Sequence, residues 1–277
     1  MSLLTRWMCA AVLILLVMGS ASVPIFATHP PTLHHWRRAN AAIRQIPIRR
    51  MHSAIWIARY ATAYADWRNP AMTKVRPIQG AIGGPSNTCP PVLNQMTSCD
   101  GAYGNTGWLA LTSIWANAGG HISQTTSKLN NKYFNMPPYN TVAYRQYLIC
   151  QQIGRSFGLA LANGVPNNRN TGSCMDATND PDGGPGGASP TDPNNLHPNA
   201  HDYAVVNAKH NHIGSILPGF GQAEEESVAM SQAAAAFNPM KLSELGIPVW
   251  SSNDGRLEQY DRQFGAWTVT SFVTRAR

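Results

Sequence analysis

Cys150-Gln151-Gln152-Ile153-Gly154-Arg155-Ser156-Phe157-Gly158-Leu159-Ala160-Leu161 is the stretch on which the reading of this 277-residue chain turns. Residues 146 to 161 contain no proline and suit a helix, and two glycines punctuate them. Gln151 and Arg155 are four apart and share one helix face, with Gln152 beside the first. Gly158 offers the helix a place to end, after which Leu161 can fold back toward that face. The side chains present are wrong for a metal site: Leu161 has no lone pair, Arg155 is a permanent cation, and the Gln152 amide cannot take up a proton at neutral pH.

Thirteen residues beyond Leu161 comes Cys174-Met175-Asp176-Ala177-Thr178. Upstream lie Tyr103-Gly104-Asn105-Thr106-Gly107-Trp108-Leu109, Gly120-His121-Ile122 and Lys128-Leu129-Asn130-Asn131-Lys132-Tyr133-Phe134. Downstream lies His197-Pro198-Asn199-Ala200-His201-Asp202-Tyr203. In order and spacing, over about residues 85 to 215, these segments resemble the secreted, matrixin-like branch of the metzincin zinc peptidases. The counterparts are the strand region, the zinc helix (H-E-x-G-H-x-x-G-L-x-H), the Met-turn beneath the metal and the start of the last helix.

The resemblance implies an α+β fold, a metzincin-like mixed sheet with zinc helix and Met-turn, stabilised by disulfides. Gln151, Arg155 and Leu161 then stand at the three ligand positions, Gln152 at the general base, Met175 in the Met-turn, and Ala177 where many metzincins carry Tyr. Gln151 is ordinary for the branch, which often has Cys-Gln-Glu before Gly-His. Catalytic zinc takes three protein donors and a water, so neither metal nor another cofactor is expected at this site. Loss of the base alone costs roughly 100- to 10,000-fold in rate. The glycines, Met and cysteines remain while the chemistry has changed, which implies a secreted pseudopeptidase that keeps a cleft for an extended peptide. Two readings of other classes stand beside it: an active zinc metalloendopeptidase with unorthodox ligands, whose cofactor would be zinc, and a basic structural protein that binds cell surfaces. His197, His201, His210 and His212 could rebuild a metal site, although capping the following helix is the simpler task for His197 and His201. No G-x-S-x-G nucleophile motif occurs.

The amino terminus has the order of a secretory signal over residues 1–27: Arg6, the apolar run Trp7 to Met18 containing Cys9, then small residues. Such a run is shorter than the roughly 20 residues a membrane span requires. Four cysteines remain, Cys89, Cys99, Cys150 and Cys174, an even number for an oxidising destination. They allow three connectivities, and no C-x-x-C pair suggests a zinc site. The resemblance favours Cys89 with Cys99 and Cys150 with Cys174, the second fastening the zinc-type helix to the Met-turn.

The formal charge is +7, and residues 28–80 form a basic segment. Arg37, Arg38, Arg44, Arg49, Arg50, Arg59, Arg68, Lys74 and Arg76 face Asp66 alone there, so residues 37–76 could meet an anionic surface. No nucleic-acid motif accompanies them, and no nucleic-acid partner is expected. Residues 81–217 make the metzincin-like portion and 218–277 a C-terminal extension. Helices are expected within 28–50 and at Met51–Trp67, Trp108–Ala118, Gln146–Leu161, Tyr203–His210 and Ala223–Phe237. Ile122–Lys128 alternates as an edge strand would, Gly80–Pro91 and Asp180–Pro190 read as loops, and Trp250–Val273 reads as a terminal hairpin.

Overall fold

The computed structural model describes residues 32–184, 190–213 and 230–276. The expected signal at 1–27, residues 185–189 of the Gly/Pro-rich loop and residues 223–229 of the helix expected at Ala223–Phe237 lie outside the described residues. The chain runs β1 (His35–Trp36), β2 (Arg44–Met51), α1 (Ala54–Trp67), β3 (Val75–Gly83), β4 (Met96–Gly101), β5 (Trp108–Asn117), β6 (His121–Asn130), α2 (Asn131–Phe134) and α3 (Val142–Ser156). It continues with α4 (Ala200–Lys209), α5 (Gln232–Ala236), α6 (Leu242–Leu245), β7 (Pro248–Ser251), β8 (Leu257–Phe264) and β9 (Trp267–Arg275).

One mixed sheet of nine strands takes the order β3-β2-β4-β6-β5-β9-β8-β7, with β1 beside β6. The strands on the β3 side pair in parallel, and β6-β5-β9-β8-β7 pair antiparallel. Strands from 28–80, 81–217 and 218–277 all belong to it. Of the two disulfides, Cys89–Cys99 ties the segment before β4 to that strand, and Cys150–Cys174 ties α3 to the turn at 174. No helix of the described residues is long and apolar enough to cross a membrane.

Helix α1 forms because Trp56, Tyr60, Ala63 and Trp67 recur on one face, and all four are buried. The Trp67 indole N–H donates to the Cys150 carbonyl at 2.9 Å, which joins α1 to α3. Helix α3 starts at Thr141, whose hydroxyl accepts the Tyr144 N–H. It lies between α1 and strands β5 and β6, so every residue from Ala143 to Ser156 is buried, the glutamines and Arg155 included. On the opposite face of the sheet, the indole N–H groups of Trp115 and Trp108 and the Lys128 ammonium donate to carbonyls of Ala234, Met240 and Pro239.

Several sequence expectations need correction. Trp108–Ala118 is strand β5, because both of its faces are covered and a strand buried on both sides loses the alternation that would mark it. Ile122–Lys128 belongs to β6, an interior strand between β4 and β5. Residues 44–51 form a strand with Ile46 and Ile48 inward, where a helix was expected within 28–50. Strand β3 extends to Gly83, into the loop expected from Gly80. Helix α3 stops at Ser156.

Candidate functional site

The candidate centre is assembled around two glycines of the α3 stretch. At Gly154 an added Cβ would lie 2.4 Å from the Met175 sulfur and 2.6 Å from the Trp67 ring, so only glycine lets both seat against the helix. Gly158 has φ +82°, the left-handed conformation that ends helices, and its Cβ would meet the His34 carbonyl oxygen at 2.1 Å. The chain then doubles back along the turn that holds Met175. The Ala162 N–H donates to the Met175 carbonyl at 2.7 Å, and the Ala177 N–H to that of Asn163 at 2.9 Å. Cys150–Cys174 ties the same two segments covalently.

The structure brings together the residues singled out from the sequence, and each has become part of the packing. The Gln151 amide donates to the Tyr147 hydroxyl at 2.8 Å and the Cys174 carbonyl at 3.2 Å. The Gln152 side-chain Oε1 accepts the Thr112 hydroxyl of β5 at 2.5 Å. The Arg155 guanidinium lies 4.6 Å over the Phe272 ring of β9, and Leu161 packs with Ala177 and Leu257. Such a set does not fit zinc. Arg155 is a stacked cation and Leu161 a buried alkyl group, neither of which can donate to a metal, and the two amides are committed to neighbours.

Arg155 and Leu161 line a cavity of about 590 Å³ that also touches His34, Trp250, Asp261 and Phe272. Arg155 is 2% exposed, and its Nε has no hydrogen-bond partner among the described residues. Burial lowers its pKa to about 10, still charged at neutral pH. The antiparallel edge that β5 would otherwise offer is taken by β9, in register from Trp108↔Arg275 to Asn117↔Trp267. Sequence reasoning missed Phe272, Trp250 and Asp261, which come from the C-terminal strands and carried no motif.

Asp176, beside Met175, is fully buried. Its Oδ2 accepts the Thr171 N–H and the Asn195 amide, while Oδ1 has no partner among the described residues, and burial raises its pKa to about 6. The folded value lies above the unfolded one, so the contribution to stability is complete below about pH 4 and declines as pH rises through 6. Relative to the parent, Asp176→Asn is expected to remove a decline of up to about 3 kcal/mol between those limits. Denaturation at several pH values checks this through the difference between the two proteins. Buried His34, His35, His121 and His210, with pKa values lowered by desolvation, act in the opposite direction in both proteins and cancel. An identical pH slope in both would refute it.

Among the other candidates, the His197 ring contacts Asp66 at 2.7 Å, and α4 is capped by Asn199 with Asp202 in a capping box, not by His197 or His201. His210 is buried, with Trp36 N–H donating to its Nε2. The basic residues of 37–76 are dispersed over β2, α1, β3 and their loops. Arg38 is buried and donates to the His210 carbonyl, Arg68 is exposed, and the others are half-buried. No protein-family model matches the chain, and no curated protein matches it.

Proposed function

We propose that this chain is an exported, catalytically silent metzincin-like protein whose altered centre binds the end of a short peptide. The observation that carries this reading is the buried, charged Arg155 on the wall of the 590 Å³ cavity, where the frame would place a metal ligand. Support for the frame comes from the Gly154–Met175 approach, the left-handed Gly158 and the returning segment beside the Met175 turn. Export is supported by the charge, apolar core and small exit of residues 1–27 and by the two disulfides.

The cavity has the volume of an ordinary small-ligand site. A ligand carboxylate seated on Arg155 gains a charge-assisted bond in a poorly solvated place, while Asp261 at the cavity accepts N–H groups of the same ligand. Backbone pairing to β5 is not part of the recognition, since β9 already makes it. Calorimetry with tri-alanine and with its C-terminal amide tests the proposal. The free acid is expected to bind at least about tenfold more tightly, and Arg155→Met is expected to abolish the difference. Equal affinities in the parent protein would sink the carboxylate role, and chelator-sensitive cleavage of casein would sink the silent-peptidase reading.

A further inference from the structure

We propose that His35, His121 and His212 form a binding site for a divalent transition ion, zinc foremost, separate from the altered centre on α3. The three residues come from distant parts of the chain: His35 from β1, His121 from the start of β6, and His212 from just beyond α4. One ligand nitrogen from each lies within 4.8 Å of the other two. His35 and His121 are direct register partners in the parallel β1–β6 pair, with ring centroids 4.7 Å apart. The His212 ring stands 4.3 Å from that of His35, and their Nε2 atoms face each other at 2.8 Å.

The orientation of His35 is the strongest part of the case. Its Nδ1 lies 2.6 Å from the Leu33 carbonyl, which can only accept, so Nδ1 carries the proton and the Nε2 lone pair is turned toward His212 and the cluster. A backbone carbonyl holding the far nitrogen is the usual outer support of a metal-bound histidine. Gly120, at φ +78°, allows the close approach behind the site, since a Cβ there would lie 2.4 Å from the Leu33 oxygen. The His35 N–H completes this corner by donating to the Gly120 carbonyl at 3.0 Å. Ligand nitrogens bound tetrahedrally to one zinc sit roughly 3.4 Å apart, so the rings need shifts of about 1 Å or less from their present positions.

Three imidazoles select borderline ions over calcium or magnesium, which require oxygen donors. His35 and His121 are buried and His212 is half-buried, so the fourth position of the ion falls on the His212 side, where water can reach it. None of the three lines the 590 Å³ cavity, so the two proposals stand or fall separately.

The test uses the exported, disulfide-bonded protein, stripped with chelator and titrated with zinc by calorimetry and with cobalt(II) by visible absorption. One zinc per chain and a tetrahedral cobalt spectrum are expected, together with a zinc-dependent rise in melting temperature. His212→Ala, at the least buried ligand, should weaken zinc binding at least about 100-fold and remove the cobalt bands, in keeping with the loss of one of three ligands. His197→Ala, an exposed histidine elsewhere, should change neither. If His212→Ala fails to fold, His212→Asn, which retains polarity and less bulk, carries the same expectation. Absence of zinc binding by the parent protein, or binding that survives both His212 substitutions, overturns the proposal.

Discussion

Gln151→His, Gln152→Glu, Arg155→His and Leu161→His together are expected to convert the candidate centre into a zinc site, with affinity on the order of 1,000-fold or more above the parent at that place, about 4 kcal/mol. The expectation rests on geometry that the substitutions leave alone. Gly154 keeps Met175 against the helix, Gly158 turns the chain, and Leu161 already returns to the side of α3 that carries Arg155, since both line one cavity. Imidazole is shorter than the arginine side chain, which removes the contact with Phe272. A carboxylate in place of the Gln152 amide can still accept the Thr112 hydroxyl bond. The measurement belongs in a His212→Ala background, so that an ion at the histidine cluster is not counted, and a second arm adds Phe272→Ala to open the sheet side. A folded variant with no gain in zinc affinity in either arm would mean that residues 151–161 lack the geometry of a zinc helix. Catalysis is a separate question, because Ala177 and the β9 cover would remain.

Gly158→Ala is expected to destabilise the protein by about 3–5 kcal/mol, whereas Gly104→Ala should cost only about 1–2 kcal/mol. Both glycines have φ near +80°, so both substitutions force an L side chain into the left-handed region. They differ in surroundings. A Cβ on Gly104 meets nothing within 4 Å, while one on Gly158 would sit 2.1 Å from the backbone oxygen of His34, which no rotamer change can move. The His34 segment also carries the Thr32 hydroxyl bonded to the Gly158 carbonyl at 2.6 Å, and His34 lines the cavity. The damage should therefore reach the candidate site as well as stability. Urea denaturation of the two variants checks this, and equal losses would show that the approach of His34 to Gly158 is looser than described.

The readable parts of the fold were those set by local patterns. Helix α1 was legible in Met51–Trp67, which holds no Gly or Pro, although the face it buries is Trp56, Tyr60, Ala63 and Trp67 while Ile55, Ile57, Ala58 and Ala61 are exposed. Helix α4 was legible at Tyr203–His210, although its cap is Asn199 with Asp202 and not His197 or His201. Strand β5 was harder, because it is buried on both faces and the period of two that separates strand from helix is erased. For β6 the alternation of Ile122–Lys128 was legible, but its interior place was not, since Ser123 to Lys128 are polar and yet buried. Strand β2 carried the Ile46/Ile48 alternation, but Pro47 and the flanking arginines obscured it.

By itself the sequence determined the α3 stretch with its glycine break, the absence of metal donors at Arg155 and Leu161, and the complement of four cysteines outside the amino-terminal apolar run. Those are properties of residue type and short spacing, which need no knowledge of distant neighbours. Only the tertiary structure decided that Phe272 would cover Arg155, that β9 would occupy the edge of β5, and that His35, His121 and His212 would meet. These depend on strand order and on contacts between residues as far as 177 positions apart, and pairing across such distances is governed by how the whole sheet closes its apolar faces and backbone hydrogen bonds, not by any local pattern.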